Sequence, residues 1–82
     1  MPRIVVDVML KPEILDPQGQ AIVGALPTLQ IGGVRSVRQG KHFELDVEGD
    51  NEAALRTADE LAGRLLANPV IEDYQVRLAE AP

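Results

Sequence analysis

The chain has 82 residues, a formal net charge of -5 and no cysteine. The absence of cysteine excludes disulfides, thiolate nucleophiles and cysteine-ligated zinc. The acidic balance argues against nucleic acid as a general ligand, because neutralising phosphates requires a basic surface. No apolar run approaches the ~18 residues of a membrane span. We therefore expect one domain, residues 1–82, in the cytoplasm, which binds neither nucleic acid nor membrane.

The first predicted element is a strand over residues 3–11, in which apolar side chains recur at every second position. The apolar residues of one face are Ile4, Val6, Val8 and Leu10. Val5 and Met9 lie on the opposite face, which is otherwise charged. This second apolar strip predicts that another surface covers it, so Val5 and Met9 are candidate self-association residues.

A first helix is predicted after this strand. Asp16 is a good N-cap, because its carboxylate can accept hydrogen bonds from the free amides of the first turn, and Pro17 suits the first helical position. Apolar residues then recur at helical spacing: Ile22, Ala25, Leu26 and Leu29. Two glycines and Pro27 weaken this helix, so we expect it to stop or kink near Leu26.

The next segment predicts a β-hairpin, with strands at residues 34–38 and 41–48. Gly40 is the expected turn residue, because glycine adopts the positive φ that a tight turn requires. Three of the eight basic residues surround this turn, which makes it a basic corner in an acidic chain: Arg35, Arg38 and Lys41. An acidic edge follows on the outward face of the second hairpin strand.

A second helix and a last strand complete the pattern. Asp50 or Asn51 caps the helix, which ends at Asn68-Pro69, and residues 70–78 form the strand. The apolar stripe of the helix is Ala54, Ala58, Leu61, Ala62, Leu65 and Leu66. The order β-α-β-β-α-β predicts an α+β fold, a two-layer ferredoxin-like sandwich with both helices on one face of an antiparallel sheet.

No constellation of side chains predicts catalysis. The potential metal ligands lie in one column of the third strand: His42, Glu44, Asp46 and Glu48. Alternate strand residues are about 6.6 Å apart, so one ion cannot reach the whole column. Ser36 lacks a histidine–acid partner, and Gly32-Gly33 lacks the spacing of a phosphate loop. We predict no catalytic, cofactor-binding or metal-binding residue on this chain.

The basic corner leaves two interpretations open. Its side chains are either solvated hairpin charges or contacts for an acidic partner surface or a ligand phosphate. A basic turn followed by an acidic edge, in a chain without a catalytic constellation, favours a binding or interaction domain.

Three segments carry a resemblance to a known family. They are residues 10–19 (LKPEILDPQG), residues 37–45 (VRQGKHFEL) and residues 65–74 (LLANPVIEDY). Together they resemble the PurS family, the small subunits of phosphoribosylformylglycinamidine synthase. The likeness extends over essentially the whole chain, in the right order and at the right spacing, and implies an oligomeric protein of ferredoxin-like fold.

The resemblance also implies a role in a multi-subunit ligase of purine biosynthesis. In that enzyme a glutaminase subunit, PurQ, releases ammonia from glutamine. A large synthetase subunit, PurL, uses ATP and Mg²⁺ to activate formylglycinamide ribonucleotide, and ammonia then displaces phosphate to give the amidine. The small subunit forms a homodimer or homotetramer and bridges the other two, with no cofactor of its own.

Two sets of interface residues follow as hypotheses. The candidate contacts with the large partners are Arg35, Arg38, Gln39, Gly40, Lys41, Asn68, Glu72 and Tyr74. The candidates for self-association remain Val5 and Met9. The alternative from another class is a free-standing module similar to ACT domains, which binds a small effector between subunits. Such a module usually has a glycine-rich loop after its first strand, where this chain has Lys11-Pro12-Glu13.

Overall fold

The computed structural model describes residues 1–79, so the predicted domain of residues 1–82 extends three residues further. The three strands are β1 (Arg3–Leu10), β2 (Gly40–Asp46) and β3 (Glu72–Leu78). Helix α1 (Pro17–Ala25) continues as a 3-10 turn (Leu26–Leu29), and helix α2 (Asn51–Leu61) continues as a π-helical turn (Ala62–Leu66).

The strands form one antiparallel sheet in the order β2-β1-β3. Asp7, in the centre of β1, lies opposite His42 on β2 and Gln75 on β3. The α+β, ferredoxin-like fold class is confirmed, with three strands in the place of the predicted four. None of the helices in the described part of the chain has the length and apolar character needed to cross a membrane.

The core lies between β1 and α2. Ile4, Val6 and Val8 are fully buried, as their alternation predicts. The residues of α2 and of the π-helical turn that face them are fully buried alanines: Ala54, Ala58 and Ala62. Because alanine side chains are short, the helix axis approaches the sheet closely, and partly buried aromatic and aliphatic side chains of β2 and β3 close the sides of this core.

Helix α2 begins and ends largely as predicted. The Asp50 carboxylate accepts a hydrogen bond from the amide of Ala53 at 2.8 Å, which identifies Asp50 as the N-cap. The helical turns end at Leu66, two residues before Asn68. Leu65 is 74% exposed, so its predicted place in the apolar stripe is wrong. The π-helical turn shifts the helical register after Leu61 and moves this side chain away from the sheet.

Helix α1 has the predicted cap but not the predicted packing. Asp16 is its N-cap and Pro17 its first residue, and the α-helix ends at Ala25, which confirms the expected break near Leu26. The prediction that both helices cover one face of the sheet is wrong, because only α2 packs extensively on the strands. Ile22 and Leu29 are 42% and 64% exposed.

The predicted hairpin is also wrong. Residues 34–38 form no strand, and the chain runs without a turn or bend from residue 34 into β2. Gly40 is the first residue of β2, and among the described residues positive φ occurs at Gln30, Gly33 and Gly49. A hydrogen bond of 2.7 Å from the Gln39 amide to the Asp16 carboxylate holds the chain where the turn was expected.

Candidate partner-binding site

The predicted basic corner does not form, because its three residues do not surround a turn. The Arg38 guanidinium is directed into the chain itself, where its Nη2 donates hydrogen bonds to three backbone carbonyl oxygens. The acceptors and donor–acceptor distances are Leu10 at 3.1 Å, Lys11 at 3.0 Å and Ile14 at 3.4 Å. Arg38 therefore anchors the segment before β2 to the loop after β1.

Lys41 pairs with an acid from a distant part of the sequence. Its Nζ lies 3.4 Å from Oε2 of Glu72, whose side chain is only 10% exposed. The other carboxylate oxygen of Glu72 accepts a hydrogen bond of 2.7 Å from the amide of Asn68. We call the cluster of Gln39, Lys41, Asn68 and Glu72 the Glu72 corner.

The Glu72 corner holds a tight turn between α2 and β3. The Asn68 side-chain oxygen accepts a hydrogen bond of 3.0 Å from the amide of Val70, and the amides of Ile71 and Glu72 donate to the Asn68 carbonyl oxygen at 3.1 and 2.7 Å. Val70, at the tip of this turn, is 77% exposed. The largely buried side chain of Glu72 thus supports a turn with an exposed apolar residue at its tip.

Asp16 links the Glu72 corner to α1, which the sequence did not indicate. One of its carboxylate oxygens accepts from the amide of Gly19 at 2.9 Å, and the other accepts from the amide of Gln39 at 2.7 Å. The Gln39 side chain donates to that of Gln18. Hydrogen bonds from Gln39 first, and then from Gly19, lower the pKa of Asp16. The sequence predicted the local cap, but it carried no signal for the contact 23 residues away.

This arrangement predicts how stability depends on pH. The pKa of Asp16 is lower in the folded chain than the unfolded value of about 3.9, so the unfolded chain binds more protons. Its stabilisation is complete above about pH 5 and is lost as pH falls through the folded pKa. Asp16→Asn keeps only one acceptor oxygen. We expect this variant to have a lower Tm than the wild type at neutral pH, and we expect the difference in Tm to shrink as the pH falls towards about 3. Thermal unfolding followed by circular dichroism measures this, and a constant difference in Tm would contradict it.

Tyr74 lies on the helix side of the sheet. Its hydroxyl donates to the carboxylate of Asp59 at 3.0 Å, and this hydrogen bond raises the pKa of Tyr74. The ring packs near Gly63, where an added Cβ would lie 3.3 Å from the tyrosine oxygen. Tyr74 therefore joins β3 to α2, and it lines a groove together with Glu72 and Lys11.

The opposite face of the sheet carries the two self-association candidates. Val5 is 5% exposed and Met9 is 39% exposed. Around them, Asp7 accepts from His42 at 2.6 Å and lies 3.5 Å from Arg77, and His42 is the largest cause of the lowered pKa of Asp7. Val5 lies opposite Glu44 and Arg77 on the neighbouring strands and is almost completely buried, so Met9 is the more accessible apolar group.

The Glu72 corner brings together charged and amide side chains that can form hydrogen bonds with a polar partner surface. Over residues 1–79, no group of three or more histidine, cysteine, aspartate or glutamate side chains is arranged to hold a metal ion. Among the predicted interface residues with a polar or charged side chain, Arg35 is the one for which no ion pair or side-chain hydrogen bond is found over residues 1–79. It lies in a separate groove beside α1, with Glu13 and Gln20.

Comparisons with known proteins identify the family. The family model for PurS, phosphoribosylformylglycinamidine (FGAM) synthase, matches residues 3–80. A PurS subunit of this synthase from Mycobacterium leprae is 53% identical over 79 residues, which cover 93% of this chain and 94% of the relative. The chain belongs to the PurS family.

Solved structures of PurS proteins agree with this assignment. Methanocaldococcus jannaschii PurS, one of the subunits of formylglycinamide ribonucleotide amidotransferase, has a TM-score of 0.88 at 32% identity, with both chains covered completely. A chain in the structure of PurLQS from Thermotoga maritima has a TM-score of 0.86 at 34% identity, covering 96% of this chain and 100% of that one. These findings give no support to the alternative of a free-standing ACT-like regulatory module.

Proposed function

We propose that this chain is the noncatalytic bridging subunit of phosphoribosylformylglycinamidine synthase. In the proposed complex it joins the large synthetase subunit, PurL, to the glutaminase subunit, PurQ, in the cytoplasm. The observation that carries the proposal is the identity of 53% to a PurS subunit over almost the full length of both chains. The PurLQS structure from Thermotoga maritima, which contains a chain of the same fold, supports the choice of partners.

The chemistry of the chain supports a noncatalytic role. The sequence contains no cysteine, whereas a glutaminase of this type uses a cysteine nucleophile. Synthesis of the amidine needs phosphoryl transfer from ATP, for which enzymes position Mg²⁺ and phosphate groups in a cleft. We therefore assign ATP, Mg²⁺ and glutamine to the other subunits, and to this chain the task of holding them together.

The Glu72 corner is the surface that we assign to a large partner. Lys41 is half exposed, with 55% of its side chain accessible, and Asn68 is exposed, while the largely buried side chain of Glu72 contacts both. Fixed polar groups lose little conformational entropy on binding, and charged ones select the orientation of the partner. Arg38 lies outside the Glu72 corner, because its guanidinium donates hydrogen bonds to backbone carbonyl oxygens of the chain, and its predicted contact with a partner stays a prediction.

Reconstitution of the three subunits tests the bridging role. We expect omission of this chain to lower glutamine-dependent formation of the amidine at least about tenfold, which is about 1.4 kcal/mol in transition-state terms. Activity with added ammonia should change much less, because the synthetase then needs no glutaminase beside it. Full glutamine-dependent activity without this chain would overturn the proposal.

The same assay tests the proposed surface separately. Lys41→Gln should weaken the assembly of this chain with the other subunits. It should also make that assembly less dependent on salt, because one partly exposed charge is lost. Arg56→Gln is the matched control, since Arg56 is 70% exposed on α2 and, within residues 1–79, pairs with Glu52 alone. If the two variants assemble equally well, the Glu72 corner is not the contact with a large partner, whereas the bridging role is unaffected. Self-association through Val5 and Met9 stays a prediction.

A further inference from the structure

A polar groove of about 540 Å³ lies at the Glu72 corner, between the start of α1 and the start of β2. The polar side chains that line it come from distant parts of the sequence: Asp16, Gln18, Gln39, Lys41 and Glu72. We call it the amide groove, because the amides of Gln18 and Gln39 are exposed along it. Its chemistry decides which groups of a partner can bind at the Glu72 corner.

The two carboxylates of the amide groove are engaged within the chain. Asp16 is 6% exposed, and each of its oxygens accepts a hydrogen bond from a backbone amide. The side chain of Glu72 is 10% exposed, and one of its oxygens accepts from a backbone amide while the other faces the Lys41 ammonium. Both negative charges of the groove are thus largely withdrawn from solvent.

The exposed groups of the amide groove are mainly hydrogen-bond donors. The Lys41 ammonium carries several N–H groups and faces one acceptor, Oε2 of Glu72. Gln18 and Gln39 each carry a side-chain NH₂ group, and the hydrogen bond between them uses a single N–H. Over residues 1–79 no other side-chain hydrogen bond or ion pair is found for these three residues. The groove therefore offers spare donors, and its exposed charge is positive.

This set of donors suits a carboxylate better than a phosphate. Phosphate sites are typically built from clustered backbone N–H groups and arginines. Here the nearby amides of Gly19, Gln39 and Asn68 already bind the chain's own carboxylates. The Arg38 guanidinium is likewise engaged with carbonyl oxygens. What remains is one ammonium group and two side-chain amides, which can donate to the two oxygens of a carboxylate.

The exposure of the groove favours a carboxylate that belongs to another protein. Gln18, Gln39 and Lys41 are all exposed, whereas sites for free small molecules bury most of the ligand and are lined mainly by apolar groups. The chain has a net charge of -5, which makes most of its surface unfavourable for an acidic segment. An exposed cation above buried acids therefore selects where such a segment binds and in which orientation.

We propose that the amide groove binds the carboxylate side chain of an aspartate or glutamate on a large partner subunit. Lys41 neutralises the charge of that carboxylate, and the amides of Gln18 and Gln39 donate to its oxygens. The inference rests on the proposed bridging function and specifies the chemistry of the contact at the Glu72 corner. Gln18, which the sequence did not indicate, thereby becomes an interface residue.

Assembly of the Gln18→Glu variant with the other two subunits tests the groove. The variant keeps the oxygen that accepts from Gln39, but it replaces the N–H groups of Gln18 with a negative oxygen. We expect the Kd of assembly to rise at least about tenfold, because two carboxylates would face each other. Gln20→Glu is the matched control, since Gln20 is exposed on the same helix and lines a different groove. It should assemble as the wild type does, and circular dichroism should show that both variants are folded.

Two results with these variants would overturn the carboxylate contact and leave the bridging function intact. Equal assembly of the two variants would mean that no partner carboxylate lies at Gln18. Tighter assembly of Gln18→Glu than of the wild type would mean that the groove binds a cation. If the wild-type chain itself does not assemble with the other subunits, the bridging function and the carboxylate contact are both wrong.

Titration of the full chain with acetate, a free carboxylate, tests where the carboxylate comes from. We expect the NMR signals of the Gln18 and Gln39 side-chain amides to show no saturation below about 10 mM, because a single exposed ionic contact binds weakly without the rest of an interface. Saturation below this concentration would make the amide groove a site for a free carboxylate and would overturn its assignment to a partner subunit.

Discussion

Replacing Gly40 with valine is expected to lower the free energy of unfolding by about 2–3 kcal/mol, the upper part of the range for overpacking. A Cβ at this position would overlap both the Val8 carbonyl oxygen and the Met9 sulfur, and would lie 3.3 Å from the Val8 carbonyl carbon. The Met9 side chain can move, but the Val8 carbonyl belongs to the central strand. Valine therefore forces β2 away from β1, and urea unfolding followed by circular dichroism measures the loss.

Gly32→Val is the matched control for this change. No atom lies within 4 Å of a Cβ at Gly32, and its φ is not positive, so the same side chain has room there. We expect the control to change the free energy of unfolding by no more than about 0.5 kcal/mol. If the urea unfolding curves of the two variants have similar midpoints and slopes, β2 adapts to a side chain at its first residue.

The position of Gly40 shows where sequence reasoning succeeds and where it fails. The sequence correctly marks glycine as necessary between two extended segments. A glycine after Gln39 is typical of a tight turn. Here the requirement comes from close contact with Val8, which is 32 positions away in the chain and on another strand. Local pattern cannot distinguish these two reasons, since both need a residue without a side chain.

Features with local causes were predictable. The alternation of Ile4, Val6 and Val8 placed the core strand, because burial on one face imposes a period of two. Asp16 and Asp50 marked the two helix starts, because a cap contacts amides only three residues away. These signals lie within a few residues of the structure that they specify.

The candidate site was predictable only in part. Lys41 was named as part of the basic corner and Asn68 and Glu72 as further candidate contacts, and the structure brings the three together by a salt bridge and a backbone hydrogen bond. Arg38 was assigned to a surface, but its guanidinium binds carbonyl oxygens 24 to 28 positions earlier. The composition of a segment shows which charges it has, whereas their partners depend on the fold of distant segments.

Helix α1 lies in close contact with the segment that precedes β2 at Gly19. This residue is buried in the first turn of α1, against the backbone of Val37. An added Cβ would overlap the Val37 carbonyl oxygen and lie 2.9 Å from its carbon and 3.0 Å from the Asp16 carboxylate. A single methyl group would thus separate α1 from residues 34–39 and disturb the acceptor that binds Gln39.

We therefore expect Gly19→Ala to cost about 1–3 kcal/mol in the free energy of unfolding, which lowers Tm by about 4–8 °C for each kcal/mol. Gly24→Ala in the same helix is the matched control, because no atom lies within 4 Å of a Cβ there. Alanine is a better helix former than glycine by up to about 1 kcal/mol, so the control should be unchanged or more stable. Thermal unfolding of both variants measures the difference, and hydrogen exchange should show the loss of protection first at the Gln39 amide. Equal stability of the two variants would mean that α1 and residues 34–39 separate without cost, and the contact at Gly19 would then not hold these two segments together.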